Sequence, residues 1–141
     1  VPVCLMHMQG EPRTMQARPV YDDVVEEVVA FLAERAAAAE AAGLARDAIV
    51  LDPGFGFGKT VDHNLELLRG LDQFAATGYP ILAGLSRKSM LGKLTGRSED
   101  HRLAGSLALA LLAAQGGVAI LRVHDVAPTV DALRVLAAIR D

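Results

Sequence analysis

Short apolar runs alternate with longer amphipathic stretches along the whole chain. Residues 3–8 form a short apolar run behind Pro2, which predicts a buried strand. Residues 9–19 hold Gly10, Pro12 and Pro19 and predict a loop. Over residues 21–42, Val24, Val28, Phe31 and Ala36 recur at helical spacing. Asp22, Asp23, Glu26 and Glu27 occupy the N-terminal half, where the helix dipole favours carboxylates, and Gly43 stands where a helix ends. Residues 48–51 read as a second strand, 52–60 as a glycine-rich loop and 62–74 as a helix. A third strand follows at 80–85, then a short helix around Lys88 and a longer one over about 99–115, closed by Gly116-Gly117. Residues 118–123 form the fourth strand and 129–140 the last helix.

Strand, loop and helix thus repeat four times. Continuous apolar strands alternating with helices predict an α/β fold built on a parallel sheet. The repeat is architectural, with no matching sequence period. The 141 residues suit one domain. With 52% hydrophobic and 22% charged residues, intrinsic disorder is excluded. A formal net charge of −3 withholds the positive field that holds a nucleic acid backbone. The single cysteine, Cys4, rules out an internal disulfide framework and suits a reducing, cytoplasmic setting. Placed in an apolar strand, it reads as a structural thiol rather than a nucleophile. The most apolar run, residues 103–114, is interrupted by Gly105 and Ser106 and is shorter than the about 20 residues a membrane span needs. The chain opens Val1-Pro2-Val3, with neither an initiator Met nor the marks of a signal peptide, which points to a stretch of something longer.

Every chemically interesting cluster follows a predicted strand: His7-Met8-Gln9, Asp52-Pro53-Gly54, Ser86-Arg87-Lys88 and Arg122-Val123-His124-Asp125. Parallel α/β folds carry their sites on that edge of the sheet. Residues 52–60 are the most distinctive stretch. A phosphate-binding P-loop needs four residues between its first Gly and its Gly-Lys-Thr, but Gly54 and Gly58 enclose three. The dinucleotide pattern Gly-x-Gly-x-x-Gly fails as well, because position 59 is Lys. A helix-capping turn is the plain alternative. Yet three glycines alternating with Phe55 and Phe57 cost much backbone entropy for a mere turn. The stretch reads better as a loop that brings backbone and aromatic faces close to a flat ligand, with Asp52 buried at the strand end. A carboxylate there accepts two hydrogen bonds from an N–H and exocyclic NH2 edge, as purines and pterins present.

Ser86-Arg87-Lys88 is either a solvated loop or a group in which Lys88 turns inward as a fixed donor and Ser86 offers a hydroxyl to a second substrate. Arg122 and His124 are two apart on one strand and so face the same side. They are either a solvated cation pair or a clamp for phosphate oxygens. His7 and Gln9 share one side of the first strand end, with Met6 and Met8 on the other; metal binding has little support there, since no second His or Cys stands at ligand spacing. Met6 is expected to pack against a ring or core side chain. His63, Asn64 and His101 are expected as surface or capping groups.

Leu5-Met6-His7-Met8-Gln9-Gly10 with Pro12 and Thr14-Met15-Gln16, then residues 52–59, Ser86-Arg87-Lys88-Ser89 and Arg122-Val123-His124-Asp125, closely resemble the dihydropteroate synthase family of folate biosynthesis. The resemblance runs in order through essentially the whole chain. It implies a (β/α)8 TIM barrel that joins 6-hydroxymethyl-7,8-dihydropterin pyrophosphate to 4-aminobenzoate and releases pyrophosphate. A barrel of that type needs about 250 residues. Residues 1–141 therefore look like its C-terminal half, four parallel strands each followed by helix. The family's N-terminal half, with its Mg2+ ligand and mobile loops, has no counterpart here.

By this resemblance Asp52 holds the pterin's N3 and 2-amino edge and Lys88 bonds the ring on its other side. Met6 and Phe57 line the pterin and aminobenzoate pockets, and Gly84 leaves room for the ring. Ser86 meets the aminobenzoate carboxylate. Arg122 and His124 grip the pyrophosphate, as the loops after the last strands of such barrels commonly do. Lys88, Arg122 and His124 are the catalytic candidates, with Mg2+ held outside this stretch and a homodimer expected for the complete enzyme. Two other readings stand beside it. One is a non-catalytic half-barrel that binds pterin or serves in assembly. The other is a different pterin-binding barrel, such as a methyltetrahydrofolate methyltransferase, against which Ser86-Arg87-Lys88 and the Met-His-Met-Gln loop argue. Two open sheet edges and a bare apolar face predict association of the isolated chain.

Overall fold

The computed structural model describes residues 1–10 and 19–140. Pro12, Thr14, Met15 and Gln16 of the resemblance lie outside the described residues. The elements run β1 (Val3–Met6), α1 (Val24–Ala41), β2 (Ile49–Asp52), α2 (Val61–Arg69), α3 (Leu71–Ala75), β3 (Leu82–Ala83), α4 (Ser89–Thr95), α5 (Leu103–Gln115), β4 (Ile120–Leu121) and α6 (Val126–Arg140). Single 3-10 turns at Arg46–Ala48 and Glu99–His101 lead into β2 and α5.

β1 pairs parallel with β2, from Val3 opposite Ile49 to Met6 opposite Asp52, and β3 pairs parallel with β4. A parallel bridge between Leu51 and Ile81, with Leu51 N–H donating to Pro80 O at 3.0 Å, joins the two pairs. The strands therefore lie side by side in chain order, each connected to the next through helix. The core gathers on one face of this sheet. Val24, Val28, Leu32 and Ala36 of α1, Leu67 of α2, Leu71 and Phe74 of α3 and Leu109 and Ala113 of α5 pack with Ile49, Leu51, Ile81 and Ala83. Strand side chains alternate between faces, so Cys4, Met6 and Ile120 point away from the helices and are exposed. Among the described residues no helix is long and apolar enough to cross a membrane.

Some expectations change: Phe31 of the expected α1 stripe is exposed, and the helix expected over about 99–115 begins only at Leu103, behind a separate turn. Residues 62–74 are not one helix, because Gly70 divides α2 from α3. A Cβ at Gly70 would come within 2.9 Å of both Val25 methyls, so the close approach of α1 requires glycine there. The third and fourth strands shrink to two residues each, although Ala119 N–H donates to Ile81 O at 2.9 Å and Arg122 N–H to Ala83 O at 3.0 Å on either side of β4. Cys4 is not a packed structural thiol but lies exposed on the helix-free face. Helix starts follow the local chemistry. Asp23 caps α1 by accepting from Glu26 N–H. Thr60 and His63 form a reciprocal capping box on α2, with bonds of 3.0 and 3.1 Å.

Candidate functional site

The carboxyl ends of the four strands meet on one rim. Asp52 ends β2 and is only 1% exposed. Its Oδ1 accepts from Gly54 N–H at 2.8 Å. Its buried Oδ2 finds no hydrogen-bond partner among the described residues and lies 3.8 Å from Arg122 Nη1. A buried acceptor without a partner is costly and calls for an explanation. Burial pushes the Asp52 carboxyl above its ordinary range; the Gly54 N–H and the charges of Arg122, Lys88 and Lys59 oppose that rise.

The glycine-rich loop bends tightly because Gly54, Gly56 and Gly58 all have positive φ. Its inner side is heavily bonded. Gly56 N–H donates to Asn64 Oδ1 at 3.0 Å, and Tyr21 Oη donates to Gly58 O at 2.9 Å. Asn64 is thus a buried loop anchor, not the surface or capping group expected; its place on the inward face of a short helix decides this. Lys59 also faces inward, bonding Gly54 O, Phe57 O and His7. Phe55 joins the core, while Phe57 is half-buried beneath Lys88, whose Nζ lies 4.5 Å from its ring centroid.

Lys88 turns inward as expected, donating to Phe55 O at 3.1 Å. Burial lowers its pKa, Arg122 lowers it further and Asp52 opposes both. Arg122 lies across Gly84, where a Cβ would approach Nη2 to 2.5 Å. Gly84 therefore makes room for the guanidinium in this structure. Ser86 is buried and its Oγ lies 2.9 Å from His124 Nδ1, while accepting His124 N–H at 3.3 Å. Gly84, Ser86, Lys88, Arg122, Val123 and His124 line a hollow of about 200 Å3. Met6 sits opposite Asp52 in the β1–β2 register, on the exposed side. The structure thus brings Asp52, Lys88, Arg122 and His124 to one mouth, with Met6, Phe57, Gly84 and Ser86 around it. A second hollow, about 510 Å3, lies between α5, β4 and α6; it shares Arg122 and Val123 but is otherwise mostly apolar.

Sequence reasoning missed three features. Lys59, which the sequence offers only as the end of the 52–59 motif, has no role assigned to it there. Arg87 has φ +57°, a left-handed conformation that is costly for a side-chain-bearing residue. It is held by a two-pronged ion pair to Asp125, at 2.8 and 3.2 Å, and by Ser106 and Arg102 on its backbone. The Ser86–His124 bond spans 38 residues and has no local signature. Substituting Ser86→Ala removes that bond and frees the imidazole. Stability is then expected to fall by about 1 kcal/mol, the net value of one hydrogen bond. Chemical denaturation of the variant beside the wild type checks this.

Chemically, the mouth combines a carboxylate acceptor, an aromatic face and a cationic pair. A flat heterocycle with an N–H edge, carrying an anionic group, matches all three. Among the described residues no three His, Cys, Asp or Glu side chains converge to hold a metal ion.

Comparison with known proteins gives the same direction. A family model described as pterin binding enzyme matches residues 1–124. Dihydropteroate synthase of Haemophilus influenzae is 54% identical over 138 residues, 98% of this chain and 50% of that protein. The crystal structure of dihydropteroate synthase from Stenotrophomonas maltophilia, with imidazole in its active site, superposes with a TM-score of 0.96 at 57% identity, covering 99% of this chain and 53% of its own. The Xanthomonas albilineans enzyme in complex with 7,8-dihydropteroate gives a TM-score of 0.92 at 53% identity, covering 99% and 51%. The chain spans about half the length of the curated relatives it matches.

Proposed function

The chain belongs to the pterin-binding enzyme family, and on that premise we propose that it is the C-terminal half of a dihydropteroate synthase (β/α)8 barrel. In this reading the complete protein condenses 6-hydroxymethyl-7,8-dihydropterin pyrophosphate with 4-aminobenzoate. The observation that carries it is the unpartnered Oδ2 of buried Asp52 beside Arg122. A pterin edge with a ring N–H and an amino group supplies the donors this oxygen lacks. Those charge-assisted hydrogen bonds then offset the cost of burying the carboxylate. The relative crystallised with 7,8-dihydropteroate supports the same ligand class.

The reaction assigns a task to each group. Lys88 donates to the ring from the side opposite Asp52, within reach of its present bond to Phe55 O. Arg122 and His124 neutralise the pyrophosphate as the bond between its oxygen and the pterin methylene carbon breaks, the electron pair leaving with oxygen. The electron-rich ring delocalises the cation left on the methylene. The aminobenzoate nitrogen attacks that carbon and then releases one proton. Ser86 fixes the His124 ring and presents its hydroxyl toward the aminobenzoate carboxylate, while Phe57 and Met6 form apolar walls. Mg2+, by the family resemblance, would be held by residues outside this stretch and would add positive charge at the pyrophosphate; among the described residues no three His, Cys, Asp or Glu converge to hold it. The apolar helix α5, with Leu103 and Leu112 exposed, is the surface we assign to a homodimer of the complete enzyme.

The test is direct. The complete protein carrying this stretch is incubated with both substrates and Mg2+, and dihydropteroate is followed by chromatography. Formation of dihydropteroate dependent on both substrates is expected. Its absence, with methyl transfer from methyltetrahydrofolate instead, would replace this reading by the other pterin barrel. The isolated 141 residues are expected to give no product, since half the barrel is absent from them.

A further inference from the structure

We propose that Lys59 is a positioning residue of the pterin site: its buried ammonium staples the glycine-rich loop to the end of β1 and so holds Asp52 and Phe57 in their binding geometry. The inference rests on the function proposed above. Lys59 is only 4% exposed. Its Nζ lies 2.9 Å from Gly54 O, 2.9 Å from Phe57 O and 3.1 Å from His7 Nδ1. An ammonium has three N–H donors, and the three acceptors use all of them. None of the three is a carboxylate, so this is not an ordinary ion pair.

Each acceptor leads to the mouth or anchors the staple. Gly54, whose carbonyl Lys59 holds, donates its own N–H to Asp52 Oδ1. Phe57, held likewise, carries the ring beneath Lys88. His7 is the fixed end. It is 7% exposed and its ring meets Phe31 edge-on at 4.9 Å, with Tyr21 at 5.9 Å. Burial, and then the Lys59 charge, lowers the His7 pKa to about 4, so at neutral pH the imidazole is uncharged and Nδ1 is available as an acceptor. Among the described residues Lys59 is not part of the lining shared by Lys88, Arg122 and His124; it meets Lys88 only in a small separate hollow of about 50 Å3 behind the loop. It acts through the loop.

The ammonium has a second, electrostatic effect. Among the described residues, the cations that favour the ionised form of Asp52 are Arg122 just after β4, Lys88 from the loop before α4 and Lys59 itself; Cys4 on β1 is coupled to it as well. Removing the Lys59 charge leaves burial less opposed. Asp52 then protonates at higher pH, and the acidic limb of pterin binding moves with it. A purely structural role for Lys59 would leave that limb in place.

The experiment measures binding of 6-hydroxymethylpterin to the complete protein by calorimetry between about pH 5 and 8. Lys59→Gln and Lys59→Met remove the charge; Lys59→Arg keeps it without the three-point geometry. We expect Gln and Met to weaken binding about tenfold or more and to shift the acidic limb to higher pH, whereas Arg weakens binding with the limb unmoved. Wild-type affinity in folded Lys59→Gln, or weaker binding with an unmoved limb, overturns the proposal. Should both neutral variants fail to fold, His7→Leu strips one anchor and leaves the charge. It is expected to weaken binding about threefold, and unchanged affinity there overturns the proposal too. Wild-type protein with no affinity for the pterin would overturn the functional reading itself and this inference with it.

Discussion

Replacing Asp52 by Asn in the complete protein is expected to weaken pterin binding about a hundredfold or more, because hydrogen bonds to a charged acceptor contribute about 1.5–3 kcal/mol each and two are at stake. The carboxylate accepts from both the ring N–H and the amino group; the amide presents one oxygen and, in the other position, a competing donor. The same substitution is expected to leave the unliganded protein at least as stable at pH 7. The sign follows from the direction of the pKa. Burial raises the Asp52 carboxyl in the folded state above its value in the unfolded chain. Stability from such a group is fully present below the unfolded pKa and is lost as pH rises through the folded one. At neutral pH the empty site therefore carries a cost that the amide does not. Thermal melts at about pH 5 and pH 7 should show the variant gaining on wild type as pH rises. Calorimetry should show its pterin affinity nearly gone. Wild-type affinity in Asp52→Asn would remove the pterin edge from this carboxylate.

Gly54→Ala is expected to be the most damaging change to folding around the site. Gly54 has φ +75°, and a Cβ there would overlap the His7 carbonyl oxygen and come within 3.2 Å of Lys59 Nζ. The left-handed conformation alone costs about 1–2 kcal/mol for a residue with a side chain. The overlap is with backbone, which cannot move without separating the loop from β1. A total near or above about 3 kcal/mol is a large share of a typical 5–15 kcal/mol stability. The matched control is Gly96→Ala. Gly96 has φ +74°, ends α4, and a Cβ there meets nothing within 4 Å, so only the conformational cost applies. Chemical denaturation of both variants separates the terms. Equal losses would show that the approach of the loop to β1 is not as close as described.

Much of this fold could be read from the residues alone, for reasons that are local. The helix over residues 21–42 carries its own acidic start and terminal glycine, and α1 begins and ends within three residues of those limits; of its expected stripe Val24, Val28 and Ala36 are buried, while Phe31 is exposed and Leu32 takes the core position. Asp52, Lys88, Arg122 and His124 could be placed on one edge because each follows an apolar run, and a parallel sheet gathers such ends together. What could not be read depends on partners distant in sequence. The inward place of Lys59 depends on His7, 52 residues away. Ser86 looked free for a second substrate, yet its hydroxyl also fixes His124. Gly70 gave no sign that α1 passes so near, because the demand comes from the Val25 methyls. Cys4 sits in an apolar strand but on its helix-free face, and alternation alone does not say which face will be covered. β3 and β4 are narrower than the apolar runs that hold them, because apolar character extends past the residues that pair in register.

The most direct measurement is a crystal structure of the complete protein soaked with 6-hydroxymethylpterin and pyrophosphate. The account predicts the pterin amino edge on Asp52 Oδ2, the ring between Lys88 and Arg122, and pyrophosphate oxygens on Arg122 and His124. A pterin seated in the apolar hollow between α5 and α6, with Asp52 Oδ2 still unpartnered, would contradict it.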